Sequence, residues 1–327
     1  MTQSLERGSL RILARRFGMD KDTAMGIVHR VTERLPDGEA VARALKPRWS
    51  GILVFDGKYV RVYDPWASLA AGAAARAKAH PGEATGDTPR PMPRHWCAWL
   101  CGIDHGTGDL PFYSIAEEET KVDLVLYFRG LQRTGYPLRV LVSDGNPDIP
   151  AAARLVFGDA FVHQRCTKHF LEGLLRLLPD EDPRRRDETE RLIRLVHAIV
   201  AAPSLEAAGR RLAVLPHMAR ETPVQRQVMR LYEEGKEALA AHLTHPGMGI
   251  PSTSNDIENV FRQLNLRLKP LGQFRGWEYA GRYLNAWALH RRLTPFTDSK
   301  GGRKERNGKA PLELAGVDLT HVDMYDF

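Results

Sequence analysis

Two short apolar runs constrain this chain most. Ile52 to Phe55 leads straight into Asp56-Gly57, and LRVLVS leads into Asp144-Gly145. An unbroken apolar run of this length fits a strand buried on both faces. If the two strands are parallel neighbours, both carboxylates stand at one sheet edge, beyond strand carboxyl ends, where open α/β sheets place ligands. Taken singly, Asp-Gly is a common turn pair. At matching strand ends the two pairs favour a site. Neighbouring carboxylates repel unless a cation lies between them. Oxygen-only ligands suit Mg²⁺ or Mn²⁺. Two such ions about 3.5–4 Å apart activate the attacking oxygen and stabilise the leaving one in phosphodiester cleavage.

Around these runs the pattern reads β-β-β-α-β-α-β. GILVFDGKYVRVY (51–63) supplies the first strand, with the apolar run ending at Asp56. HWCAWLCGID (95–104) and LPFYSIA (110–116) supply the next two. KVDLVLYFRGLQRTG predicts an amphipathic helix ending near Gly135, and a further helix is expected from Ile149 to Phe157, before a short strand near Phe161. Residues 64–94 are rich in Ala, Gly and Pro and read as a loop insertion. Residues 170–250 carry leucine stripes punctuated by prolines and read as an all-helical insertion. One or two helices are expected over 251–296, and a polar, loosely held tail over 297–327.

Residues 1–48 open with a different signal. Leu10, Leu13, Ala14 and Phe17 form one apolar stripe, Gly18 breaks it, and Ala24, Ile27, Val28 and Val31 form a second. Helix, glycine turn, helix is the helix-turn-helix pattern, whose second helix enters the major groove. Lys21, Thr23, His29 and Arg30 would then lie near DNA, although a plain helical hairpin has the same pattern.

The bulk properties set limits. With 327 residues and 43% hydrophobic content the chain can bury a real core. It has no run of about 18 apolar residues for a membrane span and no apolar signal core. Cys97, Cys101 and Cys166 are too few for a disulfide framework, so a reduced, cytoplasmic protein is expected. A formal net charge of +7 suits a polyanion partner.

A third acid is needed for a two-ion cage. STSNDIENVFRQLNLRLK offers Glu258, at the border of a stripe made by Ile257, Val260, Phe261, Leu264 and Leu268. Asn255 followed by Glu258 is also a capping box, and Glu258 could pair with Arg262 on the surface. Glu278 is the reserve acid. Arg165, Lys168, Arg262, Arg267 and Lys269 flank the acidic positions and could hold phosphates, or be ordinary solvated cations. Trp277, Tyr279, Tyr283 and Trp287 lie at helical spacing and read as core packing rather than base stacking. Zinc held by Cys97, Cys101, Cys166 and His169 is disfavoured. Cys97 and Cys101 stand about 13 Å apart on one strand, too far for a tetrahedral site.

The phrases VFDGKYVRV, LVSDG, HQRCTKHF and STSNDIENVFRQLNLRLKPLGQF resemble the core of bacterial insertion-sequence transposases of the Mutator-like group, over about residues 50–295. The resemblance implies an RNase H-like α/β fold with a helical insertion before the last catalytic helix. It also implies a DDE site made of Asp56, Asp144 and Glu258, the last following the Thr253–Asn255 phrase. Cys166 and His169 match a Cys-x-x-His pair that would brace the site or contact a DNA end rather than bind metal. The function implied is DNA transposition: two Mg²⁺ or Mn²⁺ ions, cleavage at the element's inverted repeats, and transfer of the 3′-hydroxyl into target DNA by a homo-oligomer. Two alternatives stay open at this point. One is a related nuclease that cuts without joining. The other is a non-catalytic helix-turn-helix regulator.

Overall fold

The computed structural model describes residues 10–63, 95–218 and 222–323, so the expected loop insertion at 64–94 lies outside the described residues. Three helices open the described chain: α1 (Leu10–Arg16), α2 (Lys21–Glu33) and α3 (Gly38–Leu45). Asp20 caps α2 by accepting the Thr23 N–H at 2.8 Å, and Gly18 makes the turn before it at φ +65°. Asp37 caps α3 in the same way through Ala40.

A six-stranded mixed sheet follows. Its strands are β1 (Ile52–Tyr63), β2 (His95–Asp104), β3 (Tyr113–Ala116), β4 (Val140–Ser143), β5 (Val162–Arg165) and a two-residue β6 (Phe274–Arg275). The order is β3-β2-β1-β4-β5. β1–β2 and β2–β3 are antiparallel, whereas β1–β4 and β4–β5 are parallel. β6 pairs in parallel with the far end of β1, at Val62 and Tyr63. One edge of β1 is therefore paired by β4 at its start and by β6 at its end, and the stretch holding Asp56 lies between them.

The strand expected over 51–63 is present, but the placing of Asp56 at a strand end is corrected. The apolar run ends at Asp56, whereas β1 continues through Gly57 to Tyr63, because β2 pairs with it from Leu53 to Val62. Asp56 is a mid-strand residue, and what ends beside it is the ladder to β4.

Both sheet faces are covered. α4 (Lys121–Arg133) and α5 (Asp148–Phe157) bury one face through Leu53, Phe55, Leu100, Tyr127, Phe128 and Leu141. The other face packs Val54, Val60, Trp99 and Val142 against α12 (Asn255–Leu271) and α13 (Trp277–Leu293). Gly130 of α4 sits where a Cβ would overlap the Phe112 ring, so the helix can lie close only with glycine there. On α13, Tyr283 and Trp287 are buried and Trp277 and Tyr279 pack against the same core, as the aromatic spacing predicts.

Between β5 and α12 the chain is helical among the described residues: α6 (Thr167–Leu175), α7 (Arg186–Val200), α8 (Leu205–Leu212), α9 (Leu215–Met218), α10 (Pro223–Leu239) and α11 (Ala241–Thr244). Phe170, Leu174, Leu192, Val196, Val228 and Leu239 give this part its own core.

The C-terminal segment is held, against expectation. A 3-10 turn at Gly301–Arg306 and a short helix, α14 (Pro311–Leu314), pack back on the body. Leu312 and Val317 join Val41 and Leu289 in one buried cluster. Arg303 pairs with Asp256 at the start of α12. The polar sequence hides this, because its anchors are isolated apolar residues and charged groups with distant partners.

Candidate active site

The site grows from the β1–β4 ladder. Val54 lies opposite Val142, and two residues further along the chain from each stand Asp56, still in β1, and Asp144, just past the end of β4. Beyond Ser143 the chain turns, with Asp144 Oδ1 accepting the Asn146 N–H at 2.9 Å. Asp56 Oδ1 accepts the Gly57 N–H at 2.8 Å. Burial, the Asp144 carboxylate and then Glu119 raise the Asp56 carboxyl to about 7, against the Gly57 hydrogen bond and His169. Strongly perturbed carboxyls cluster at functional sites, and this makes Asp56 a candidate for one.

Glu119 was missed by sequence reasoning. It follows β3 and precedes Thr120, the cap of α4. A Cβ at Gly57 would overlap Glu119 Oε2, so the glycine makes room for this carboxylate. Asn146 Nδ2 donates to Glu119 Oε1 at 3.4 Å. Burial and Asp144 raise its carboxyl. In the sequence it is the last of three consecutive glutamates, and nothing in the pattern separates it from Glu117 and Glu118.

The third acidic candidate lies on a helix that packs on the other face. Ile257, Val260, Phe261 and Leu264 anchor α12 in the core, and Glu258 follows Ile257 in its first turn, half-buried. Lys168 ion-pairs with Glu258 Oε2, and His169 Nε2 lies 3.8 Å from Oε1. Ser254 Oγ lies 3.3 Å from Cys166 Sγ, 3.3 Å from His169 Nδ1 and 3.2 Å from Glu258 Oε1. Its single proton serves one of them at a time. The hydrogen bond to Cys166 raises the His169 imidazole to about 9, against burial, and the Cys166, Asp56 and Glu258 charges add to the rise. Burial pushes the Cys166 thiol up, but its bonds to His169 and Ser254 outweigh this and hold it below its ordinary value.

The remaining sequence candidates divide. Ser254, not Asn255, precedes α12; Asn255 is the first helical residue and is exposed, and Ser254 rather than Asn255 reaches Glu258. Glu258 pairs with Lys168 instead of Arg262. Glu278 pairs with Arg282 at 2.6 Å, its side chain is 80% exposed, and it is not among the charges acting on Asp56. Arg165 is half-buried, and a Cβ at Gly145 would lie 2.6 Å from its Nη2, so it stands beside the Asp144 turn. Arg262 and Lys269 are exposed on α12, and Arg267 is half-buried. Lys21 and Arg30 are exposed on α2, whereas Thr23 is engaged with Asp20. His29 meets Tyr279 edge-on at 3.7 Å between ring centroids, which turns it toward α13.

A match to the family described as "Transposase, Mutator family" spans residues 105–291. The chain belongs to the Mutator transposase family. The matched segment contains Glu119, Asp144, Cys166, His169 and Glu258, while Asp56 precedes it. No curated protein matches the transposase significantly. Among its described residues, no helix is long and apolar enough to cross a membrane.

Among the described residues, the trio of His, Cys, Asp or Glu side chains gathered within 4.8 Å of one another is Cys166, His169 and Glu258, and Asp56, Asp144 and Glu119 are not gathered so closely. Asp56, Asp144 and Glu119 offer oxygen atoms only, which suits a hard ion such as Mg²⁺ or Mn²⁺. Burial first, and the Asp144 charge second, raise the Asp56 and Glu119 carboxyls. Glu258 is engaged by Lys168, so its use as a ligand requires that pair to open.

Proposed function

We propose that this transposase cuts phosphodiester bonds at the ends of its element and joins the freed 3′-hydroxyl to target DNA, with Asp56, Asp144 and Glu258 as the acids of the reaction centre. The observation that carries this reading is the placing of Asp56 and Asp144 two residues beyond a paired position of parallel strands, with Glu258 in the first turn of α12. The strand order β3-β2-β1-β4-β5, with β2 reversed against β1, supports an RNase H-like core.

Asp56 and Asp144, helped by Glu119, would hold one Mg²⁺ or Mn²⁺, and Glu258 would complete a second position. Ions held there would supply charge stabilisation for the attacking and leaving oxygens of the phosphodiester. His169, cationic beside Asp56 and Glu258, steadies both carboxylates. Lys168, once released from Glu258, offers its ammonium to a phosphate. Arg262 and Lys269 extend the cationic surface along α12, and Arg165 braces the Asp144 turn. Lys21 and Arg30 on α2 provide a separate DNA contact in the helix-turn-helix reading of residues 1–48. Two element ends are brought together by a homo-oligomer.

The test is cleavage of plasmid DNA carrying the sequences that flank the gene, in Mg²⁺ or Mn²⁺. Cuts at defined ends that leave 3′-hydroxyl termini support the reading. Intact DNA in the presence of demonstrable DNA binding overturns it.

A further inference from the structure

Cys166, His169 and Glu258 bring a sulfur, an imidazole nitrogen and a carboxylate oxygen within 4.8 Å of one another. This mixture differs in kind from the oxygen-only set of Asp56, Asp144 and Glu119. Thiolate and imidazole ligands select softer ions, whereas Mg²⁺ and Mn²⁺ favour carboxylate and water. We propose that Cys166, His169 and Glu258 form a second metal site, selective for ions of the Zn²⁺ class.

The scaffold is suited to this. Cys166 and His169 lie three residues apart across the start of α6, so both ligands rise from one helical turn. The Cys166 N–H bonds Ser143 O at 2.7 Å, and the Thr167 N–H bonds Ser252 O at 2.9 Å, which ties that turn to β4 and to the segment leading into α12. Glu258 stands in the first turn of α12. Ligands at about 2.0–2.3 Å from a tetrahedral zinc lie roughly 3.3–3.8 Å from one another, so the side chains need to close by about an ångström. A cation already occupies this corner, because Lys168 Nζ sits on Glu258 Oε2. A divalent ion replaces that ammonium and displaces the protons of the thiol and imidazole. Cys97 and Cys101 take no part, both being buried in the sheet core.

This site stands independently of the DNA-cleavage reading, and its test uses no DNA. The full chain, freshly reduced, is titrated with Co²⁺ alone and followed by absorption. A thiolate-to-cobalt charge-transfer band in the near ultraviolet is expected. Zn²⁺ should abolish it stoichiometrically, and millimolar Mg²⁺ should leave it in place. The band should vanish in Cys166→Ser and need at least tenfold more Co²⁺ in His169→Ala. Circular dichroism in a chelator checks that these variants fold. Lys168→Met, at a half-exposed position, should tighten Co²⁺ binding roughly two- to fivefold, the scale of losing a partly exposed competing ion pair. Absence of the band in wild type, its persistence in Cys166→Ser, or its displacement by Mg²⁺ overturns the proposal.

Discussion

Asp56, inside β1, and Asp144, the residue that follows β4, each stand two residues beyond the paired Val54 and Val142. The ladder between the strands stops before them, and β6 takes up the same edge of β1 only at Val62. The carboxylates therefore occupy an opening in the sheet edge, with Glu119 reaching it from one face and Glu258 on the helix that packs on the other. Sheet pairing creates the proximity, and desolvation makes it electrostatically costly.

That cost has a pH signature. The Asp56 carboxyl is raised from 3.8 to about 7. The folded protein thus holds this proton more tightly than the unfolded chain. Its contribution to stability is present below about pH 4 and is lost as pH rises toward 7. Between those values we expect the metal-free melting temperature of Asp56→Asn to fall less steeply than that of wild type. Mg²⁺ at a hundredfold over its dissociation constant should stabilise wild type by about 2.7 kcal/mol. It should do so more at pH 8 than at pH 5, and hardly at all in Asp56→Asn. Calorimetry with and without Mg²⁺ reads both effects.

Glu119→Gln keeps the shape of the side chain and its contact with Asn146 but removes a charge. We expect the Mg²⁺ concentration for half-maximal cleavage to rise on the order of tenfold, the scale seen when groups around a metal site are removed. Cleavage at saturating Mg²⁺ should change little. A Mg²⁺ titration of cleavage rate checks this, and an unchanged midpoint removes Glu119 from the site.

Arg303 holds the C-terminal segment to the first turn of α12 through Asp256, whose carboxyl is pulled well down: burial opposes this, but the hydrogen bonds and charges of His105 and Arg303 prevail. Arg303→Ala leaves Asp256 with the His105 ring at 2.6 Å as its remaining side-chain partner. A loss of about 1–3 kcal/mol is expected, as for a charge-assisted bond removed from a partly buried carboxylate. Amide hydrogen exchange should quicken over residues 301–317 before it quickens in β1.

Gly130→Ala tests the packing of α4 on the sheet. The new methyl overlaps the Phe112 ring, so the helix or ring must shift. Despite the better helix propensity of alanine, we expect a net loss of about 1–3 kcal/mol by urea unfolding.

Much of this fold is legible in the sequence. The apolar runs at Ile52–Phe55 and LRVLVS mark central strands because burial on both faces leaves no room for polar alternation. Glu258 is singled out by the family resemblance, since the stripe and border of its helix leave a capping box or a surface ion pair open as well. β6 is not, since two residues carry no periodicity and their pairing with β1 depends on a partner more than 200 residues earlier. Glu119 is hidden for a similar reason: its role comes from the space above Gly57, which is a tertiary fact. The continuation of β1 past Asp56 follows from pairing with β2, whereas a run of hydrophobicity reports burial alone. Ser254 outranks Asn255 because its hydroxyl faces Cys166, a contact made across 88 residues.

The most direct measurement is strand joining by purified protein on labelled DNA bearing the gene's own flanking ends, in Mg²⁺ or Mn²⁺. Wild type is compared with Asp56→Asn, Asp144→Asn and Glu258→Gln, with DNA binding measured alongside. We expect joined products from wild type, a loss of at least a thousandfold in each variant, the scale of removing an essential group, and unchanged binding. Joining that survives in Asp56→Asn or Glu258→Gln would contradict the assignment of the reaction centre to these three acids.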